Sequence, residues 1–254
     1  MQLISLVTSV LKSGDDLLSI LMQSASFQEN DILVLSSKVI SMVEGSAIDL
    51  TSWSPSDDAK KWSAQCGRSA EFCEAVLQET ERLHGSIVGT CPGALLTEVR
   101  PDGLKKGSIL TANAGLDQSN VQEGYAIGWP KDPVKSVREM RSCLKEKTGK
   151  NIAIIMTDSC CRPRRLGVTA FALAVSGIDP LVSQAGKSDL FGHPLRITTE
   201  AIADQLATAA NFLMGNAAQA TPAVIMRDHG ISLSDDEGWV DGIEPEDDLF
   251  AGIL

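Results

Sequence analysis

The stretch Leu110-Thr111-Ala112-Asn113-Ala114-Gly115-Leu116-Asp117-Gln118-Ser119-Asn120 changes character as it runs. It opens β-prone, passes through a bend of small residues, and ends on an Asp and an Asn three residues apart. A second polar segment, Thr157-Asp158-Ser159, follows the apolar run Ile152-Ala153-Ile154-Ile155-Met156. Each Asp is predicted just past a buried strand, where a rigid sheet aims a short carboxylate into a cleft. Two hard carboxylates with neighbouring hydroxyls and an amide suit Mg²⁺ or Mn²⁺ bound together with a phosphate. The pair points to a metal–nucleotide site. Taken singly, either Asp reads equally well as a strand-end cap or a turn former.

Outward from these segments, Asp31-Ile32-Leu33-Val34-Leu35 reads as a buried strand that delivers Ser36-Ser37-Lys38 into a turn. Hydroxyls and an ammonium are suitable phosphate donors, although on these residues alone a surface lysine is the plainer reading. Gly14-Asp15-Asp16 predicts a capped helix through Gln23. Residues 51–107 carry the weakest pattern: a helix from Ser69 to His84, strands near Ile87-Val88 and Leu95–Val99, and a solvated basic turn at Gly103–Gly107. Downstream, a strand at Tyr125–Gly128, a helix from Asp132-Pro133 to Lys147 and the strand Ile152–Met156 predict a crossover unit. Leu166–Ile178 suits a buried strand or a buried helix. A short strand at Leu195–Thr198, a helix from Thr199 or Glu200 to Leu213 and a core strand at Pro222–Met226 complete the pattern.

The chain has 254 residues, 43% of them hydrophobic, enough for a proper core. A net charge of −11 argues against nucleic-acid or anionic-membrane partners, which need clustered Lys and Arg. Arg162-Pro163-Arg164-Arg165 is a local exception. Six cysteines without paired spacing speak against structural zinc and for reduced thiols in the cytoplasm. Met1–Val10 lacks the basic lead of a signal peptide, and the uncharged stretch 205–226 is broken by Asn211, Asn216, Gln219 and Pro222, so neither predicts membrane association. Residues 228–254 hold nine acidic side chains and no Lys or Arg, which predicts a solvated acidic tail following a single catalytic domain of residues 1–227. Its apolar end, Leu249 to Leu254, is expected to dock on a neighbour.

Several segments together resemble one family. They are Ile32–Lys38, Thr111–Asn120, Thr157-Asp158-Ser159 with Arg162-Pro163, Asp189-Leu190-Phe191-Gly192, and Ile202-Ala203-Asp204 with Leu213-Met214-Gly215. In this order they look like the coenzyme F420-0:L-glutamate ligase family, from about residue 10 to 227 and more weakly within 46–107. The N-A-G-x-D-x-S-N segment, with an Asp–Ser pair 41 residues after its Asp, carries the specificity.

The resemblance implies an α+β (mixed α/β) fold of intertwined mixed sheets with flanking helices, neither Rossmann nor P-loop, assembled as a homodimer. It implies an amide ligase that joins L-glutamate to a phospholactyl-flavin, using GTP and two divalent cations (Mg²⁺ or Mn²⁺). By matching positions, Asp117 and Asp158 are metal ligands assisted by Ser159. Ser37, Lys38 and Asn120 hold nucleotide, and Met214, Gly215 and Asn216, with the stretch Val7–Val10, line it. Lys38, with Arg162 or Arg165, would neutralise developing charge. Met42 stands where such proteins usually carry a second lysine, and Asn216 where Glu or Gln is usual. These departures open two alternatives: a member acting on another carboxylate or amine, or a catalytically silent nucleotide-binding relative.

Overall fold

The computed structural model describes residues 1–252; Ile253 and Leu254, and with them the expected docking of the apolar end, lie outside the described residues. Strand β1 (Gln2–Leu6) leads to helix α1 (Leu17–Ser24), where the Asp16 carboxylate caps the N-terminus by accepting the Ser19 N–H. The run of apolar residues forms β2 (Ile32–Ser36). Helix α2 (Ser37–Val43) starts at once, so Ser36-Ser37-Lys38 is a strand-to-helix junction rather than a turn. Next come β3 (Ile48–Asp49), α3 (Asp57–Cys66), and α4 (Ala70–Arg82) capped by Ser69. Strands β4 (Ser86–Cys91), β5 (Ala94–Val99), β6 (Ile109–Ala112) and β7 (Tyr125–Ala126) follow. Helix α5 (Pro133–Thr148) has Asp132 as its cap and Gly149 in the left-handed conformation as its stop. Then come β8 (Ala153–Cys161), β9 (Val168–Ser176), β10 (Val182–Ser183), β11 (Thr199–Glu200), helix α6 (Ile202–Met214), β12 (Ala223–Arg227) and β13 (Glu237–Trp239).

The central sheet has six strands in the order β1-β12-β2-β8-β9-β13. Within it β2 and β8 are parallel and the other neighbours antiparallel. Both faces are covered, which is why β2 and β8 read as unbroken apolar runs rather than alternating ones. Leu33, Leu35, Ile154 and Met156 pack with Leu17 and Leu21 of α1 and Val137 and Leu144 of α5. Ile32, Val34, Ala153 and Ile155 pack with Ala203, Leu206, Ala207 and Ala210 of α6. Each buried aliphatic side chain of this kind contributes on the order of 1.5–3 kcal/mol of transfer free energy. A second layer joins the three-stranded sheet β4-β5-β6 to α3 and α4 around Phe72, Val76, Leu95 and Leu116. This is the expected α+β architecture of mixed sheets with flanking helices.

Three expectations change and one open choice is resolved. The crossover unit does not form: β7 pairs with β3 in a separate two-stranded ladder, and the strand parallel to β8 is β2. The segment Leu166–Ile178 resolves as a strand, β9, forming a hairpin with β8. The short strand expected at Leu195–Thr198 lies slightly later, at β11, paired with β10. The acidic segment is not a solvated tail throughout. Strand β13 covers the edge of β9, and Trp239 is buried. The Asp241 carboxylate accepts the N–H groups of Lys105 and Lys106, and Glu244 accepts that of Gly107, so the basic turn is clamped rather than free.

Candidate active site

Because β2 and β8 run parallel, their C-terminal ends emerge on one edge of the sheet, with Ser36 beside Thr157. The end of β1 and the start of β12, where Leu6 faces Ala223, share that edge. Open sheets bind ligands outside the carboxyl ends of their parallel strands. A cavity of about 610 Å³ lies there. Thr8, Ser9, Val10 and Leu11 line it from the end of β1, Ser36, Lys38, Val39 and Met42 from the β2–α2 junction, and Thr157, Asp158 and Ser159 from β8. Asp117, Ser119, Asn120 and Val121 line it from the loop after β6, and Met214 to Ala218 with Ala220 to Pro222 from the segment after α6.

The Asp117 loop is held in a demanding conformation. Asn113, Ala114 and Gly115 all have positive φ, at 55°, 52° and 79°. For Asn and Ala this costs on the order of 1 kcal/mol each, which the surroundings must offset. The Asn113 side-chain oxygen accepts the Leu95 N–H at 2.9 Å, and the Thr97 hydroxyl accepts the Ala114 N–H at 2.9 Å. Two backbone bonds with Ile127 then fix Asp117 itself. Its Oδ1 accepts the N–H groups of Gln118 and Ser119, while Oδ2 takes the Lys38 ammonium and the Ser119 hydroxyl. Partial burial works to raise the Asp117 pKa, but Lys38 and Ser119 outweigh it and hold the carboxyl at about 2.

Asp158 is not past a strand but within one, since β8 continues to Cys161. The β8–β9 ladder slips by one residue between Met156 and Thr157, immediately before it. Such bulges re-aim strand side chains and recur beside active sites. The Trp129 indole N–H donates to Asp158 Oδ2 at 2.7 Å, and the Ser159 N–H donates to Oδ1 at 2.9 Å. Burial pushes the Asp158 carboxyl above its ordinary pKa. The Trp129 bond and the Lys38 charge pull against this, and the Asp117 charge adds to it. The Ser159 hydroxyl donates to Asn216 Oδ1 at 2.7 Å, and the Asn120 amide donates to the Ala217 carbonyl at 3.3 Å.

Among the expected site residues, Asp117, Asp158, Ser159, Lys38, Asn120, Met214, Gly215 and Asn216 all border this one cavity. Ser37 does not border it: it is fully buried, and its hydroxyl has no hydrogen-bond partner among the described residues. Its neighbour Ser36 lines the cavity instead. Arg162 and Arg165 are exposed and lie outside the lining. Ser119 and Thr157, which line the cavity too, stand in the quoted segments with no role of their own assigned there, whereas no spacing or motif marks Trp129. Among the described residues no three His, Cys, Asp or Glu side chains cluster as a ready-made metal cage. A hard cation taking one or two carboxylates, a hydroxyl and oxygens from a phosphate needs no such cage, so the donor set of Asp117, Asp158 and Ser159 is chemically suitable.

The model of the family described as F420-0:Gamma-glutamyl ligase matches residues 5–228. The chain belongs to this family. It is 38% identical to the coenzyme F420:L-glutamate ligase of Methanopyrus kandleri over 242 residues, 95% of this chain and 86% of that one. It is 38% identical to the enzyme of the same name from Archaeoglobus fulgidus over 218 residues, 86% and 83% of the two chains. The Methanocaldococcus jannaschii ligase of that name is 34% identical over 251 residues, 98% and 96%. The match takes in every residue that lines the cavity, from Thr8 to Pro222. No helix among the described residues is long and apolar enough to cross a membrane.

Proposed function

We propose that this protein is an amide-forming ligase that adds L-glutamate to a coenzyme F420 precursor, with GTP as co-substrate. The observation that carries this reading is the convergence of Asp117, Asp158 and Lys38, from three separate segments, on one cavity in a chain of this family. Amide formation from a carboxylate needs an activated acyl group. Transfer of the terminal phosphoryl group of GTP to the phospholactyl carboxylate breaks the bond from the γ-phosphorus to the bridging oxygen, releases GDP and gives an acyl phosphate whose phosphate can leave. The glutamate amine then attacks the acyl carbon, the C–N bond forms, and phosphate leaves with release of the amine proton.

Such a transfer is mostly positioning and charge neutralisation. Lys38 supplies a cation at the transferred group, Asn120 and Ser36 offer donors to phosphate, and Met214, Gly215 and Asn216 line the nucleotide. The apolar wall of Val10, Val39, Met42 and Val121 suits a flat ring. Mg²⁺ or Mn²⁺ would be held by Asp117, Asp158 and Ser159 and would supply neutralising charge at the phosphates. Residues 1–227 contain every side chain of this site, and we read them as the catalytic unit. Leu166, Leu190, Phe191, Ile197 and Phe212 are all largely exposed, which supports assembly as a homodimer. Light scattering at micromolar concentration tests that assembly, with twice the chain mass expected.

Incubation with GTP, Mn²⁺, L-glutamate and the phospholactyl-flavin is expected to add one glutamyl unit, read by mass spectrometry. Phosphate release without that product would assign the chain another carboxylate or amine, a reading favoured by Met42 at the cavity wall in place of a second cation. No product and no phosphate would return the chain to a silent binding role.

A further inference from the structure

Trp129 belongs to none of the roles assigned above, yet it touches both halves of the site. Its indole N–H is bonded to Asp158 Oδ2, and the indole is only 3% exposed. The same indole is the surface against which the Asp117 loop turns. A Cβ built on Gly115 would lie 2.6 Å from Trp129 Nε1 and 2.6 Å from Cε2, so the loop backbone rests directly on the ring. Gly115 also has φ +79°, which side-chain-bearing residues rarely adopt. The segment leading into Trp129 is itself tied to the backbone of the other aspartate. Ile127 exchanges two backbone bonds with Asp117, and the Gly128 carbonyl accepts the Ser41 hydroxyl at 2.7 Å. Ile127-Gly128-Trp129 therefore spans the gap between Asp117 and Asp158, gripping one by its backbone and the other by its carboxylate.

The ring is braced from behind. Phe171 of β9 and Trp239 of β13 meet it edge-on, with ring centroids 6.3 Å and 6.1 Å away. Edge-to-face contacts of this kind fix ring orientation as well as adding packing energy. The Asp158 carboxylate is thereby pinned at both oxygens, by Trp129 at Oδ2 and by the Ser159 N–H at Oδ1, while each oxygen keeps a lone pair free.

We infer that Trp129 is a positioning residue of the ligase site, setting the orientation of the Asp158 carboxylate and its separation from Asp117 for binding a divalent cation. This rests on the ligase reading given above. Groups that orient metal-binding carboxylates in this way typically matter by 10–100-fold in metal affinity or activity.

The test replaces only the donor. Site-specific incorporation of benzothienylalanine at position 129 keeps the ring shape and puts sulfur in place of the N–H. Mn²⁺ binding is followed by electron paramagnetic resonance, with and without GTP, and the melting temperature is recorded alongside. The expected result is an Mn²⁺ Kd weakened by about 10- to 100-fold with the melting temperature little changed. Trp129→Phe and Gly115→Ala serve as second variants, the first deleting the donor genetically and the second pushing a Cβ into the indole. Both are expected to weaken Mn²⁺ in the same direction while far-ultraviolet circular dichroism stays native. A wild-type protein that binds Mn²⁺ together with a folded benzothienylalanine protein of equal affinity overturns the role of Trp129 and leaves the ligase reading standing. A wild-type protein that takes up no Mn²⁺, even with GTP, overturns both.

Discussion

Asp117 and Asp158 border the same cavity but are built in opposite ways. Asp117 sits on a loop of positive-φ residues, with a lysine and a serine hydroxyl already on its carboxylate, and it is held at about pKa 2. Asp158 sits within a nine-residue strand, is faced by an indole rather than a cation, and has a raised pKa. The loop carboxylate is fully charged and locally balanced. The strand carboxylate is disfavoured as an ion chiefly by burial, which the Trp129 bond and the Lys38 charge offset only in part. In the proposed reading a cation joins this asymmetric pair, and most of its benefit would fall to Asp158.

The sharpest way to break the comparison is Asp158→Asn. Turnover should fall on the order of 10³-fold, the equivalent of several kcal/mol of charge stabilisation. The melting temperature at neutral pH should rise, because an ionised group with a raised pKa costs the folded state. That advantage should shrink as pH falls through the raised pKa, where wild-type Asp158 also becomes neutral. Parallel thermal melts across pH check both the sign and the window. A melting temperature lowered at neutral pH would mean that Asp158 is structural.

Lys38→Met addresses the other half. Activity should drop by about 10²- to 10³-fold, as for loss of one preorganised charge donor in a transfer site. The Asp117 carboxyl should titrate upward from about 2 toward its ordinary value, visible by carbon NMR. A depressed carboxyl pKa stabilises the fold above the unfolded value and ceases to do so as pH falls toward the folded one. Wild-type protein should therefore lose this contribution between the ordinary carboxylate range and about pH 2, and the variant should lack it throughout. The smallest effect is expected from Met42→Lys, which adds a second, solvent-accessible cation to the cavity wall. The KM for GTP should fall by no more than about fivefold, the range of a partly exposed ion pair. An unchanged KM would place the triphosphate away from α2.

Much of this is legible in the sequence, and the physical reason differs by element. Helices α1, α4, α5 and α6 were readable because caps at Asp16, Ser69 and Asp132 and apolar spacing are local signals. Strands β2 and β12 were readable as apolar runs because both faces of the sheet are covered. The convergence of Asp117 and Asp158 was legible only as two segments in a familiar register, and their shared cavity is a matter of topology. What escaped was non-local. The pairing of β2 with β8 across α2 to α5 leaves no mark on nearby residues. The acidic composition of residues 228 onward hid the strand Glu237–Trp239, since three residues are too few to impose a period. Trp129 was invisible because its value lies in two partners, Gly115 and Asp158, on other segments.

The pairing of β1 with β12, which sets Gln2 against Arg227, also bears on how the chain reaches this state. Strand β1 has to wait, with its amide edge open, until β12, far later in the chain, has been made. Contacts so distant in sequence slow folding, because a very large loop must close before any of them forms. The cavity shares this fate, since its walls at Thr8 to Leu11 and at Ala220 to Pro222 flank that same late ladder. Ligand binding should therefore appear only in the final kinetic phase of refolding.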